Sequence, residues 1–153
     1  MRLKEMKVLE YPYPCPACAG AVTLATGPGR TRRVHAVANV LMPASLAVPT
    51  CQQCGTEWLD AADAARIDAA MAAAYRQALC AGAVQLVAAL PAAGVVAEVE
   101  AALGLTRGYL SRIRAGAKAP SAGLVADLAL IAVDPRRRLA ELQVFWSGAA
   151  QES

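Results

Sequence analysis

At 153 residues the chain has room for one ordinary domain or two small ones. Its residues are 57% hydrophobic but only 5% aromatic, and much of the apolar share is alanine, so neither half can build a large core. A net charge of +3 is too small to name a partner, which leaves the placement of the charges to do so. No stretch approaches 18 uninterrupted apolar residues, because Asp63, Arg66, Asp68 and Arg76 break the alanine-rich helices, and no membrane partner is expected. The start, Met1-Arg2-Leu3-Lys4-Glu5, lacks the apolar centre of a signal peptide. A cytoplasmic protein with reduced thiols is expected.

Residues 1–14 form a charged start leading into Tyr11-Pro12-Tyr13-Pro14, where two X-Pro steps favour extended backbone. The first cysteine pair follows, Cys15-Pro16-Ala17-Cys18, and the second, Cys51-Gln52-Gln53-Cys54-Gly55, comes after a long excursion. Each C-x-x-C lets two thiolates reach one ion from a tight turn, and two pairs supply the four soft donors of a closed tetrahedral zinc site. Gly55 suits a turn that a Cβ would hinder. Two disulfides would require export. A single redox pair would leave the other pair idle. With so little core available, zinc is expected to hold the first half together.

Between the pairs, residues 21–26 read as a strand, Gly27-Pro28-Gly29 as a turn, and residues 31–41 as a second strand with imperfect alternation. Knuckle, hairpin, knuckle is the layout of a zinc ribbon, placed at 1–60. Asp60 or Asp63 is suited to cap a helix. Ile67, Met71, Ala74, Tyr75, Ala78 and Leu79 recur at helical spacing and predict one helix over 61–80, in a connecting segment 61–82. Gly82 reads as a soft break before a further helix closed by Pro91.

Residues 83–153 read as a helical domain. Val95, Val96, Val99, Ala102 and Leu103 make one apolar face, ended by Gly104. Thr106 is placed to cap a second helix, in which Leu110 and Ile113 face inward. Gly116 and Pro120 stop it, Ser121 caps the next, and a last helix is expected over 135–146 from Pro135. Helix, short turn, helix is the arrangement that seats a recognition helix in the DNA major groove. Between Gly104 and Pro120 the charges are Arg107, Arg112, Arg114 and Lys118, with no acid. Thr106, Arg107, Tyr109, Ser111, Arg112 and Lys118 are therefore the candidate contacts to double-stranded DNA, with the free amides at Thr106 open to a phosphate. No catalytic residue stands out, since four cysteines leave zinc no open position.

Leu103-Gly104-Leu105-Thr106, Leu110-Ser111-Arg112-Ile113, Gly116 and Pro120 together resemble the Xre/Cro-type helix-turn-helix. Cys-Pro-Ala-Cys-Ala-Gly, Val48-Pro49-x-Cys-x-x-Cys-Gly and Leu59 to Ile67 resemble the zinc domain of the MqsA (YgiT-type) antitoxins, and the domain order is also similar. The resemblance implies a five-helix Xre-type domain, a homodimer, autoregulation through operator binding, and a zinc domain that binds a partner toxin. It also implies structural zinc on Cys15, Cys18, Cys51 and Cys54. Glu100 stands where such motifs carry a small residue, so its carboxylate is expected to lean towards Arg107 or Arg114, or the helices to pack differently. A protein-interaction adaptor without DNA binding is the alternative.

Among the remaining residues, His35 reads as a surface histidine and Cys80 as a small buried side chain. Arg30, Arg32 and Arg33 read as a solvated loop or an anion patch. Arg136, Arg137 and Arg138 are expected to reach flanking phosphates. Phe145 and Trp146 would complete the core or a dimer interface.

Overall fold

The computed structural model describes residues 10–35 and 37–149. The beginning of the charged start lies outside them. Five short strands precede five helices: β1 (Tyr13–Pro14), β2 (Ala21–Ala25), β3 (Thr31–Val34), β4 (Val37–Leu41), β5 (Val48–Cys51), α1 (Ala61–Ala89), α2 (Val96–Ala102), α3 (Tyr109–Arg114), α4 (Ala122–Val133) and α5 (Pro135–Ala149). The chain divides into two compact units, one ending at Tyr75 and the other beginning at Arg76.

In the first unit, β1, β2 and β5 form an antiparallel sheet in that order, with Val22 opposite Cys51 and Ala25 opposite Val48. The expected pairing of 21–26 with 31–41 is not what forms. Residues 31–41 fold back on themselves as β3 and β4, reversing at His35, whose φ is +51°. This explains their imperfect alternation: they are two strands rather than one. Arg30 holds the departure from β2, donating to the carbonyls of Ala25 (3.1 Å), Gly27 (3.3 Å) and Leu46. It is therefore a structural group and not an open anion site. Arg32 pairs with Glu57, which leaves Arg33 as the exposed arginine of the three.

Asp60 caps α1, its Oδ1 accepting from the Asp63 N–H at 2.7 Å. Ile67 and Met71 on the predicted stripe pack against Val40, Met42, Leu46 and Val48. The helix does not break at Gly82. A Cβ there would come 3.9 Å from Val125 of α4, so this glycine marks a close approach. The apolar stripe continues through Ala83 and Val87, and helix packing outweighs the roughly 1 kcal/mol that glycine costs in a helix interior. Ala61–Ala93 is also long and apolar enough to cross a membrane by length and composition. Core helices share that property.

The second unit is built on α2 to α5 around Val99, Leu110, Ile113, Leu128 and Leu139. Pro91 opens a 3-10 turn, Leu90–Ala93, and Gly94 ends it in the left-handed region. Ser121 caps α4 as expected, its Oγ accepting from Leu124 N–H at 3.1 Å. Asp134 does the same for α5, which runs three residues past its predicted end. Phe145 and Trp146 stand edge to face, 5.1 Å apart, and both are more than half exposed, so neither completes this core.

Leu128 is fully buried and Leu130 is 62% exposed on the same helix. Leu128→Ala should lower unfolding stability by about 2–5 kcal/mol, whereas Leu130→Ala should change it by less than about 0.5 kcal/mol. Denaturant titration of both variants checks the contrast.

Candidate metal centre and basic helix face

The two knuckles are built alike. In the first, the Ala19 N–H bonds the Cys15 carbonyl (2.8 Å) and the Cys15 N–H bonds the Gly20 carbonyl (2.7 Å). In the second, the Gly55 N–H bonds the Cys51 carbonyl and the Cys51 N–H bonds the Thr56 carbonyl, both at 3.0 Å. The fifth residue of each is left-handed, Ala19 at φ +60° and Gly55 at +71°. Gly55 is the residue expected there. Ala19 is not, and it accepts the Cβ crowding that Gly55 avoids. Gly20 is needed for another reason: a Cβ would lie 2.7 Å from Gln53 Cβ and 3.2 Å from Cys51 Sγ.

Antiparallel pairing of β2 with β5 carries the knuckles to one another. The four sulfurs lie within 4.8 Å of one another, with Cys15 and Cys54 3.8 Å apart and Cys18 and Cys51 3.5 Å apart. No pair is a disulfide. Metal–sulfur bonds of about 2.3 Å at tetrahedral angles put sulfurs about 3.8 Å apart, so the spacing suits a metal ion. The four thiols form a possible metal-binding site.

The thiols differ in acidity. Burial alone would raise Cys15, but the N–H groups of Ala17 and Cys18, together with Cys51 and the Trp58 side chain, bring it below the ordinary thiol value. The Trp58 Nε1–H is buried, finds no oxygen or nitrogen acceptor, and packs in this cluster. An indole N–H close enough to lower Cys15, yet short of hydrogen-bond geometry to any acceptor, fits a site whose sulfurs are thiolates when metal is bound. The Gly20 N–H favours the Cys18 thiolate, yet Cys51, burial, Cys54 and Cys15 together push it up to about 12. Thr56, through its hydroxyl and backbone, brings Cys54 down to about 6 despite its burial cost. Trp58 and Thr56 were not singled out by spacing; the short C-x-x-C-G-T-x-W run that brings them in was the available signal. His35 is exposed, its ring centre 5.2 Å from that of Tyr75 in an edge-on arrangement, and Cys80 is half-buried on α1.

In the second unit, α2 and α3 are joined by residues 103–108. The second helix begins at Tyr109, preceded by Gly108 at φ +77°, and not at Thr106. The Thr106 hydroxyl instead accepts from Arg112 Nη2 at 3.0 Å. The Arg112 guanidinium lies 5.7 Å from the centre of the Tyr109 ring and the Lys118 ammonium 5.9 Å from it. Thr106, Tyr109, Arg112 and Lys118 are thus one cluster. Arg107, Ser111 and Arg114 are exposed, while Tyr109 is half-buried against the core. Glu100 leans towards neither Arg107 nor Arg114. Its carboxylate accepts from the backbone N–H groups of Gly108 and Leu110, both at 2.9 Å. Arg137 and Arg138 pair with Glu141 and hold its carboxyl below the usual range.

Compared with known proteins, the chain matches no family model, no curated protein and no solved structure.

Cys18 keeps its proton up to about pH 12, so metal uptake at pH 8 must displace it. Below about pH 6 Cys54 is protonated too, and its proton must also leave. Metal affinity should therefore fall as pH is lowered, more steeply below pH 6. Calorimetric titrations in buffers of different ionisation enthalpy should read proton release at pH 8, and the same titrations across pH give the slope.

Proposed function

We propose that this chain is a sequence-specific DNA-binding regulator held together in its first unit by one structural zinc ion. The carrying observation is the exposed basic face around Tyr109, where Arg107, Arg112, Arg114 and Lys118 stand in a stretch without an acid. A helix crossing a duplex needs cations for phosphates and a small number of side chains for base edges. Arg107 and Arg112 supply forked donors of the kind that read guanine, and Thr106, Ser111 and Lys118 suit phosphate or base edges.

In this reading α2, the turn and α3 act as a helix-turn-helix of the Xre type, and two copies bind half-sites about 34 Å apart. Zinc is the metal that best suits four thiolates in a closed tetrahedral shell, and it leaves no position for substrate. The sequence resemblance to MqsA-type antitoxins extends the reading to an autoregulating antitoxin in the cytoplasm whose zinc ribbon engages a toxin. The exposed Leu130, Val133, Val144, Phe145 and Trp146 favour the second reading, an adaptor that uses these surfaces for protein contacts alone.

Fluorescence anisotropy with the duplex upstream of the gene and a scrambled duplex separates the two readings. The regulator should prefer the upstream duplex and lose affinity as salt rises, with a log–log slope of about −0.9 per neutralised phosphate. Arg107→Ala/Arg112→Ala should weaken that binding about 10- to 100-fold. Equal or absent binding to both duplexes would leave the adaptor reading. In a separate test, a strong chelator should unfold the first unit. Circular dichroism unchanged after proven metal loss would exclude a structural ion.

A further inference from the structure

Among the described residues, Glu100 is the only charged side chain that is buried, at 4% exposure. It stands on α2, but both of its oxygens are used by the start of α3, one by the Gly108 N–H and one by the Leu110 N–H. Its own carbonyl accepts from the Leu105 N–H at 2.8 Å. One residue therefore holds the turn at both ends.

Nothing nearer can do this. A helix leaves its first amides without partners inside the helix. Gly108, at the capping position, has no side chain, and the Thr106 hydroxyl is taken by Arg112. A six-residue helix cannot bury a long apolar stripe to fix its own direction. Its side chains Leu110 and Ile113 anchor it inward, and the carboxylate fixes its beginning.

We propose that Glu100 is the positioning residue of this face: its carboxylate sets where α3 starts, and through α3 the placement of Tyr109, Ser111 and Arg112. The inference rests on the DNA-binding reading and adds a constraint to it. The amides at the start of α3, which would otherwise suit a phosphate, are filled by a carboxylate. Contacts to the nucleic-acid backbone therefore fall to side chains such as Arg107, Arg114 and Lys118.

Glu100→Gln separates this role from two simpler ones. The amide has the same size, keeps one acceptor and sets its own N–H₂ against the other backbone donor. The full-length, metal-loaded chain is used, with its folded fraction checked by circular dichroism at the assay temperature. The ratio of affinities for the upstream and scrambled duplexes should fall about tenfold, with scrambled binding unchanged. A merely structural residue would reduce both affinities by the same folded fraction. A residue acting only as a repelling charge would on removal tighten both. Either result overturns the proposal.

Amide hydrogen exchange provides a readout independent of DNA. Protection at Gly108 and Leu110 should drop in Glu100→Gln, and in Glu100→Ala, while Leu128 stays protected. Unchanged protection at both amides overturns the clamp. If the wild-type chain fails to prefer the upstream duplex, the DNA-binding reading falls, and the exchange data still decide whether Glu100 holds α3.

Discussion

Four thiols lie within 4.8 Å of one another, and the strands and turns of the first unit are arranged so as to bring them there. The β1-β2-β5 sheet is small, and β1 contributes two residues to it. A sheet of this size with few large side chains is marginal without a staple. A metal at the sulfurs would tie the β1–β2 turn to the loop after β5 and so fix the register of the strands between them. The local devices serve that closure. Ala19 and Gly55 turn the knuckles, Gly20 makes room for Gln53, and Trp58 closes one side.

The second unit is organised on different physics. Its helices pack through aliphatic side chains, and the one charge buried among its described residues is satisfied by backbone donors instead of a counter-ion. Burying an unpaired carboxylate is strongly unfavourable, but two hydrogen bonds to free helix amides answer that need and also favour the negative charge at a helix start. The cations stay outside. Arg112 and Lys118 gather around Tyr109, while the arginines of α5 are partly occupied by Glu141. A cationic surface without local acids remains on α3 and the loop after it.

Several particulars show why parts of the structure were readable and others not. The C-x-x-C pairs were legible as one possible metal site because ligation would demand a fixed local spacing, and the stripe Ile67, Met71 and Leu79 because burial follows helical periodicity. Ser121 and Asp60 were legible as caps for a similarly local reason. The partner of β2 was not. Residues 31–41 contain enough apolar positions for one strand, and only the left-handed His35 and the Arg30 contacts make them two. Gly82 was misread because the same residue that loosens an isolated helix also admits a neighbour, here Val125.

Sequence alone determined the four sulfur donors, the apolar faces of the helices and the concentration of cations between Gly104 and Pro120, since each depends on residue type and short-range spacing. Tertiary structure decided which strand pairs with β2, how far α1 continues, and where the Glu100 carboxylate goes. Those outcomes depend on groups distant along the chain competing for the same backbone partners and the same space. Glu100 makes the difference plain: in sequence it is an acid in a place suited to a small residue, and in the fold it is the cap of a helix that begins nine residues later.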